Sequence, residues 1–364
     1  MKYREIEGLN KKDSFKQGII GLVKSTGKNL LTQNIRLVPE SLGEPAVLLD
    51  FLDKDFYLAF KTDGVGTKSL IAEQMALLAR IKKWPTKRIV NLYSDLGIDL
   101  IASNVNDLIC LGATPLALSD EVAVGNYQQF LDKDFTKGLL IGLKKGCREA
   151  KITIPCGESP TLTDVIKPKA CSITGSAIGI VRPKQKAILG RNLQAGDVIF
   201  GLRARGIHTN GLSLARKIVE KLPQGYFTSF GSKTVGEELL KPTKIYTKPI
   251  LEMVNNLEIH YLSNISGSAF RKISRASKPF TYIIDNLPKP PKILTALQQW
   301  GKLTDKEAYE TWNMGLGMTI FAPASEEKKM KKICEKYKVG FIKLGLVAKG
   351  PKKVIIKGDS LWEY

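Results

Sequence analysis

Three short stretches concentrate residues able to do chemistry. In Lys61-Thr62-Asp63-Gly64-Val65-Gly66-Thr67-Lys68, a carboxylate, two glycines, two hydroxyls and two lysines fall within eight positions. Asp63 can hold a divalent cation, and Thr67 and Lys68 can meet phosphate oxygens. Gly64 and Gly66 let the backbone turn sharply and approach a bulky ligand. The spacing is not that of a P-loop, so a hairpin exit that needs glycine and carries a charge pair fits these residues as well. The second stretch is Asn104-Val105-Asn106-Asp107-Leu108-Ile109, where Asn104 and Asp107 stand on neighbouring helical turns and can share a face. A solvated helix end is the plain alternative. The third is Gly206-Ile207-His208-Thr209-Asn210-Gly211. His208 can give or take a proton near neutrality, or simply bond to its own loop. His260 lacks such a setting and reads as structural.

These residues need elements to place them. The apolar runs 47–52 and 56–60, split by Asp53-Lys54-Asp55, predict a β-hairpin whose second strand leads into Asp63. Helices are expected over 69–83, closed by Trp84-Pro85, and over 89–111, stopped by Gly112 with Pro115 beyond. Asp13-Ser14 is a candidate cap for a helix over 15–24. Strands follow at 116–119 and 152–154, around a helix at 130–150, and 171–181 is β-rich. The polar, proline-bearing stretch Arg182-Pro183-Lys184-Gln185-Lys186 marks a domain boundary, giving domains 1–182 and 183–364. The second half adds strands at 197–202, 280–284 and 318–322, helices at 212–221, 291–299 and 326–337, and a β-rich end. Both halves mix helices and strands, an α+β chain.

Composition narrows the class. With 364 residues, 43% hydrophobic and 25% charged, the chain has the make-up of a soluble two-domain protein. No apolar run reaches the roughly 18 residues of a membrane span, and the amino terminus lacks the apolar core of a signal peptide. A cytoplasmic protein without a membrane partner is expected. Five cysteines with no C-x-x-C pair read as free thiols rather than a zinc site. The net charge of +21 comes mostly from scattered lysines, with no arginine-rich arm or aromatic RNA-binding motif beside them. A lysine-rich solvated surface is the reading, and no specific nucleic acid is expected.

Taken together the blocks resemble the aminoimidazole ribonucleotide synthetases, the phosphoribosylformylglycinamidine cyclo-ligase (PurM) family. Thr62 to Lys68, Asn104 to Leu108 and Gly112-Ala113-Thr114-Pro115 match its amino-terminal motifs. Cys156-Gly157-Glu158-Ser159 resembles its G-G-E-T. The run Gly206-Ile207-His208-Thr209-Asn210-Gly211-Leu212-Ser213 resembles G-L-H-S-N-G-Y-S, and Leu240-Lys241-Pro242-Thr243-Lys244-Ile245-Tyr246 resembles L-L-x-P-T-R-I-Y. Thr311-Trp312-Asn313-Met314-Gly315 resembles T-F-N-M-G.

The resemblance implies a two-domain PurM-like fold. An amino-terminal α/β domain dimerises through a central β-barrel, and a carboxyl-terminal α/β domain completes the site. It also implies a reaction: ATP with Mg2+ activates the formyl oxygen of formylglycinamidine ribonucleotide, a nitrogen attacks, and phosphate leaves as the ring closes. On it, Asp63 and Asp107 are the metal positions. The nucleotide positions are Asp63, Gly64, Gly66, Thr67, Lys68, Asn106, Asp107, Asp120, Glu158 and Ser159. The catalytic positions are His208, Asp107 and Lys68, with His208 and Asn210 toward substrate. The alternatives are a paralogue using ATP on another substrate, or an inactive nucleotide- or RNA-binding protein on this scaffold.

One stretch departs from the pattern. Where the family has H-I-T-G-G-G-F, this chain has Asn264-Ile265-Ser266-Gly267-Ser268-Ala269-Phe270. Ser and Ala are strained at positive φ, so the expectation is either a different loop path or family glycines needed for close approach. Ser266, Gly267 and Ser268 are expected to bind the ribose phosphate, with Asn264 only orienting, since an amide cannot move a proton near pH 7.

Overall fold

The computed structural model describes residues 13–358 and 361–364, with Ile6 and Gly8. The cap expected from Asp13-Ser14 lies outside the described side chains; the helix itself, α1, is Asp13–Thr26. The first sheet begins with β1 (Ile35–Leu37), β2 (Val47–Phe51) and β3 (Tyr57–Gly64), the last two forming the expected hairpin. Helices α2 (Lys68–Ile81) and α3 (Thr86–Ile109) follow, and Gly112, at φ +76°, turns the chain out of α3. Then come β4 (Thr114–Val124), α4 (Lys133–Ala150), β5 (Gly157–Glu158) and β6 (Cys171–Val181). The strand order is β1-β2-β3-β6-β4-β5, antiparallel except for the β4–β5 pair.

Two expectations change in this half. Strand β4 is longer than the 116–119 segment, and 152–154 forms no strand, contributing a single bridge from Thr153 to Ala117. Helix α4 starts at Lys133, not 130, because the Asp132 carboxylate accepts from the N–H groups of Asp134 and Phe135. α3 lies against β3 and β6 on one side and α4 on the other. Its seam with α4 is built from glycine. A Cβ on Gly142 would stand 1.9 Å from the Ser94 carbonyl oxygen, and one on Gly138 2.4 Å from that of Val90. The two helices therefore touch backbone to backbone.

The second sheet collects β7 (Val198–Arg203), β10 (Tyr261–Asn264), β11 (Phe280–Ile284), β12 (Leu316–Ala322), β13 (Phe341–Lys349), β14 (Lys353–Lys357) and β15 (Leu361–Glu363). Its order is β10-β12-β7-β13-β11-β14-β15, with β11 and β14 parallel. A small ribbon of β8 (Ser229–Phe230) and β9 (Lys233–Thr234) lies apart. Every residue of β12 is buried, as befits a strand covered on both faces. The helices are α5 (Leu212–Val219), α6 (Val235–Leu240), α7 (Thr247–Asn256), α8 (Lys292–Gly301), α9 (Asp305–Thr311) and α10 (Glu327–Lys336). Of these α6, α7 and α9, like β10, were not foreseen from sequence.

Candidate active site

The geometry starts from strand alternation. Lys61 and Asp63 are two apart on β3 and so point to the same face, toward α3. Asp107, in the last turns of α3, is buried there, and the Lys61 ammonium lies 2.8 Å from its Oδ2 and 3.4 Å from Oδ2 of Asp63. Burial alone would lower the Lys61 pKa, but Asp107 and Asp63 outweigh it and raise it. The other oxygen of Asp107 accepts a 2.7 Å hydrogen bond from the Asn264 side-chain amide at the end of β10. The two halves of the chain thus meet on one carboxylate. Asn104 fixes the same corner, its Nδ2 donating to the Leu100 and Asp63 carbonyls at 3.0 and 3.3 Å.

The glycines divide the work differently from the expectation. A Cβ on Gly64 would come within 2.8 Å of the Ile173 carbonyl oxygen, so this glycine serves close approach of β6 rather than of a ligand. Gly66, at φ +57° with open space around it, supplies the turn. Thr67 is the residue before α2 and remains partly exposed without capping it.

Lys68 is corrected outright as a phosphate contact. Its side chain is fully buried, with Nζ 2.6 Å from Asp99 Oδ2 and donating to the Lys241 carbonyl at 2.8 Å. Asp99 in turn accepts from the Thr243 N–H and hydroxyl at 2.8 and 2.6 Å. This buried cluster ties α2 and α3 to the 241–243 segment of the second half. Asn106 does similar work: its amide donates to the Lys244 carbonyl at 2.9 Å and accepts from the Tyr246 N–H at 3.0 Å.

Asp63, Gly175 and Asp120 are in register across β3, β6 and β4. Two strand spacings put the carboxylates about 10 Å apart. Asp120 is half buried, and burial raises its pKa. Gly157 leaves room for it, since a Cβ there would lie 2.3 Å from Asp120 Oδ1. Glu158 and Ser159 are exposed at the sheet edge beyond.

His208 sits at φ +63° and is buried, with Nε2 accepting a 3.4 Å bond from the Arg205 N–H. Burial and then the charge of Lys68 push its pKa down to about 3, so the imidazole is neutral at physiological pH. The proton-moving role expected of it therefore has no charge change near pH 7 behind it. His208, Asn210, Asp63, Asn106, Asn264 and Ser266 do line one narrow cavity, of about 10 Å³. That is room for roughly one water. His260 stands elsewhere, held by Asp197 and Glu258 at 2.8 Å each.

The 264–270 loop splits the two expectations. Ser268 and Ala269 do adopt positive φ, +66° and +39°, at a cost of roughly 1–2 kcal/mol per residue. Gly267 answers to close approach, because a Cβ there would lie 3.1 Å from Asn210 Oδ1. Lys272, unmarked by any sequence signal, enters the site from behind this loop and donates to Ser266 Oγ at 2.5 Å. Burial, followed by repulsion from Arg275, lowers its pKa to about 8 against the pull of Asp107. Lys61 had a readable signal, its shared strand face with Asp63; Asp99, whose partners come from distant segments, had none.

Two carboxylates, Asp63 and Asp107, already balanced by a cation, fit a Mg2+ ion that arrives with a phosphate-bearing ligand, since Mg2+ takes one or two carboxylates plus phosphate oxygens. Among the described residues no group of three His, Cys, Asp or Glu side chains forms a metal cage.

Comparison with known proteins places the chain in a family. Residues 43–181 match the AIR synthase related protein, N-terminal domain, and residues 194–358 its C-terminal domain. The phosphoribosylformylglycinamidine cyclo-ligase of Methanocaldococcus jannaschii is 42% identical over 290 residues, 78% of this chain and 76% of that one. That of Pyrococcus horikoshii is 37% identical over 324 residues, 89% and 88% of the two chains. Among solved structures, thiamine monophosphate kinase from Aquifex aeolicus superposes with a TM-score of 0.58 at 16% identity, over 94% of this chain and 96% of that one. AaThiL complexed with AMPPCP and TMP superposes at 0.56 with 15% identity, over 94% and 98%. The fold is thus PurM-like, and the chain belongs to the AIR synthase related protein family.

Proposed function

We propose that this protein is the ATP-dependent cyclo-ligase that converts formylglycinamidine ribonucleotide to aminoimidazole ribonucleotide in de novo purine biosynthesis. The observation that carries the reading is the Asp107 carboxylate, held by Lys61 from one half and Asn264 from the other, in a chain 42% identical to a cyclo-ligase. The formyl oxygen takes the γ-phosphoryl group of ATP, a substrate nitrogen bonds to that carbon, and phosphate leaves, so one ATP becomes ADP and phosphate for each ring closed. Asp63 and Asp107 would hold the Mg2+ of ATP, which neutralises charge on the transferring group. Lys61 bridges the two carboxylates and keeps them aligned. The hydroxyls and N–H groups of Ser266, Gly267 and Ser268 face the ribose phosphate, with Lys272 as their cation. Asp120 and Glu158, along the sheet, reach the far end of the nucleotide.

The active form is a homodimer. On the first sheet Phe60 is 47% and Leu116 42% exposed, and Leu58, Ile178 and Ile180 share that side half-covered. Joining two such faces closes a barrel and removes sheet edges. We place the domain boundary at residues 182–183 and the protein in the cytoplasm. Among the described residues no helix is long and apolar enough to cross a membrane.

The decisive assay supplies ATP with either formylglycinamidine ribonucleotide or thiamine monophosphate. Turnover of the first alone supports the proposal. ATP binding without turnover of the first rejects it in favour of a paralogue with another substrate.

A further inference from the structure

We infer that a basic crevice behind the candidate active site binds a phosphate group, at a second anion site distinct from the one built on Asp63 and Asp107. The crevice has a volume of about 340 Å³ and an apolar floor that includes Ile98; Arg205, Lys244, Lys248 and Lys338 surround it, with Glu149 the single carboxylate in the lining. That size suits a small organic ligand. Among the described residues none of the four cations forms an ion pair with a carboxylate. Lys244 is half buried and its ammonium donates to the Lys338 carbonyl, at 3.1 Å. Burial and the neighbouring Arg205 both lower its pKa, against a weaker pull from Glu149. Holding cations together in a partly desolvated hollow costs free energy that a bound dianion would recover. Helix α7 adds its positive end: it starts at the crevice, its Lys248 and Pro249 lining it, with no side-chain cap on its first turn.

The site is wired to the chemistry next door. Thr243 lines both the crevice and the narrow cavity around His208 and Asn264. Its N–H and hydroxyl hold Asp99, the next residue's carbonyl holds Asn106, and the Arg205 N–H holds His208. A phosphate gripped by Arg205 and Lys244 would therefore brace the two segments that carry the second half's contacts to α3. The phosphate arrives free or on a nucleoside, and the apolar floor favours the nucleoside.

Isothermal titration at constant ionic strength tests this, with inorganic phosphate and adenosine 5′-monophosphate as separate probes. Saturable binding of either at one per chain, weakened about tenfold or more in a Lys248→Ala/Lys338→Ala variant, is the expected result. Tighter binding of the nucleotide identifies a nucleoside phosphate as the ligand; equal binding identifies phosphate alone. Both substituted residues are exposed, so the variant keeps its fold, which circular dichroism checks. No saturable binding at millimolar probe, or binding that the double variant leaves intact, overturns the inference. The readout needs no turnover, so it can fail while the cyclo-ligase reading stands, and the reverse.

Discussion

Replacing Lys68 with methionine separates a structural lysine from a phosphate-binding one. In the structure its ammonium and the Asp99 carboxylate are 2.6 Å apart and both fully buried. Methionine keeps most of the volume and removes the charge, leaving Asp99 with the two Thr243 donors at 2.8 and 2.6 Å. Breaking a buried pair from one side costs about 3–5 kcal/mol, a large part of the 5–15 kcal/mol typical of a folded domain. Chemical denaturation followed by tryptophan fluorescence should show an earlier transition, while the folded fraction binds ATP with unchanged affinity. Adding Asp99→Leu should return much of the loss, because an apolar pair can replace a buried ionic one. A second readout is the His208 imidazole, whose pKa is pushed down partly by Lys68. It should rise in the variant, and with two histidines in the chain the NMR titration is easily resolved. An unchanged denaturation midpoint together with weakened ATP binding would refute the structural role.

Further outcomes follow from the same geometry. Asp107→Asn should raise the barrier to cyclisation by several kcal/mol with the fold retained, measured as turnover at saturating Mg2+. Asn264→Ala removes a hydrogen bond to an ionised group, worth about 1.5–3 kcal/mol; if Asn264 positions Asp107, kcat falls while the denaturation midpoint moves little. His208 is neutral in the fold and gains a proton on unfolding below about pH 6.5, so its share of stability is lost as pH falls through that value toward about 3. His208→Asn, which tolerates the same backbone, should flatten that acid limb and leave the kcat profile from pH 6 to 8 unaltered. Ser268→Gly should stabilise the chain by about 1 kcal/mol, read from the denaturation midpoint, since it relieves a positive φ.

Legibility in the sequence tracked the distance between partners. Strand β3, its turn and helix α3 were readable because alternation, glycine and helical spacing are local signals. The Lys61–Asp63 pair belongs with them. Lys68 was misjudged because its position in a glycine-rich turn suggests phosphate, whereas its fate is set by Asp99 on another helix and by Thr243 far along the chain. Lys272 was silent for the same reason. Helices α6 and α9 did carry a written signal, the capping boxes Thr234–Glu237 and Thr304–Glu307. Helix α7 has Pro249 in its first turn and no cap, and its length of ten residues leaves little pattern to detect. In the 264–270 loop, propensity argued against positive φ at Ser268 and Ala269. One tertiary and one turn bond overrode it: the Ile265 N–H is tied to the Gly317 carbonyl, and the Ala269 N–H to that of Ser266 within the loop.

The glycine seam between α3 and α4 bears on how this protein can change over generations. Packing through side chains is forgiving, since a neighbour can rotate when one residue grows. Backbone against backbone has no such slack, and a methyl at Gly142 or Gly138 would have to push α3 bodily away. Asp99, Asn104, Asn106 and Asp107 all ride on that helix, so the push would disturb every one of their bonds at once. The surface most intolerant of drift is therefore a face of α4 that touches neither nucleotide nor substrate. Lineages of this chain should diverge sooner in the 264–270 loop than along the glycine face of α4.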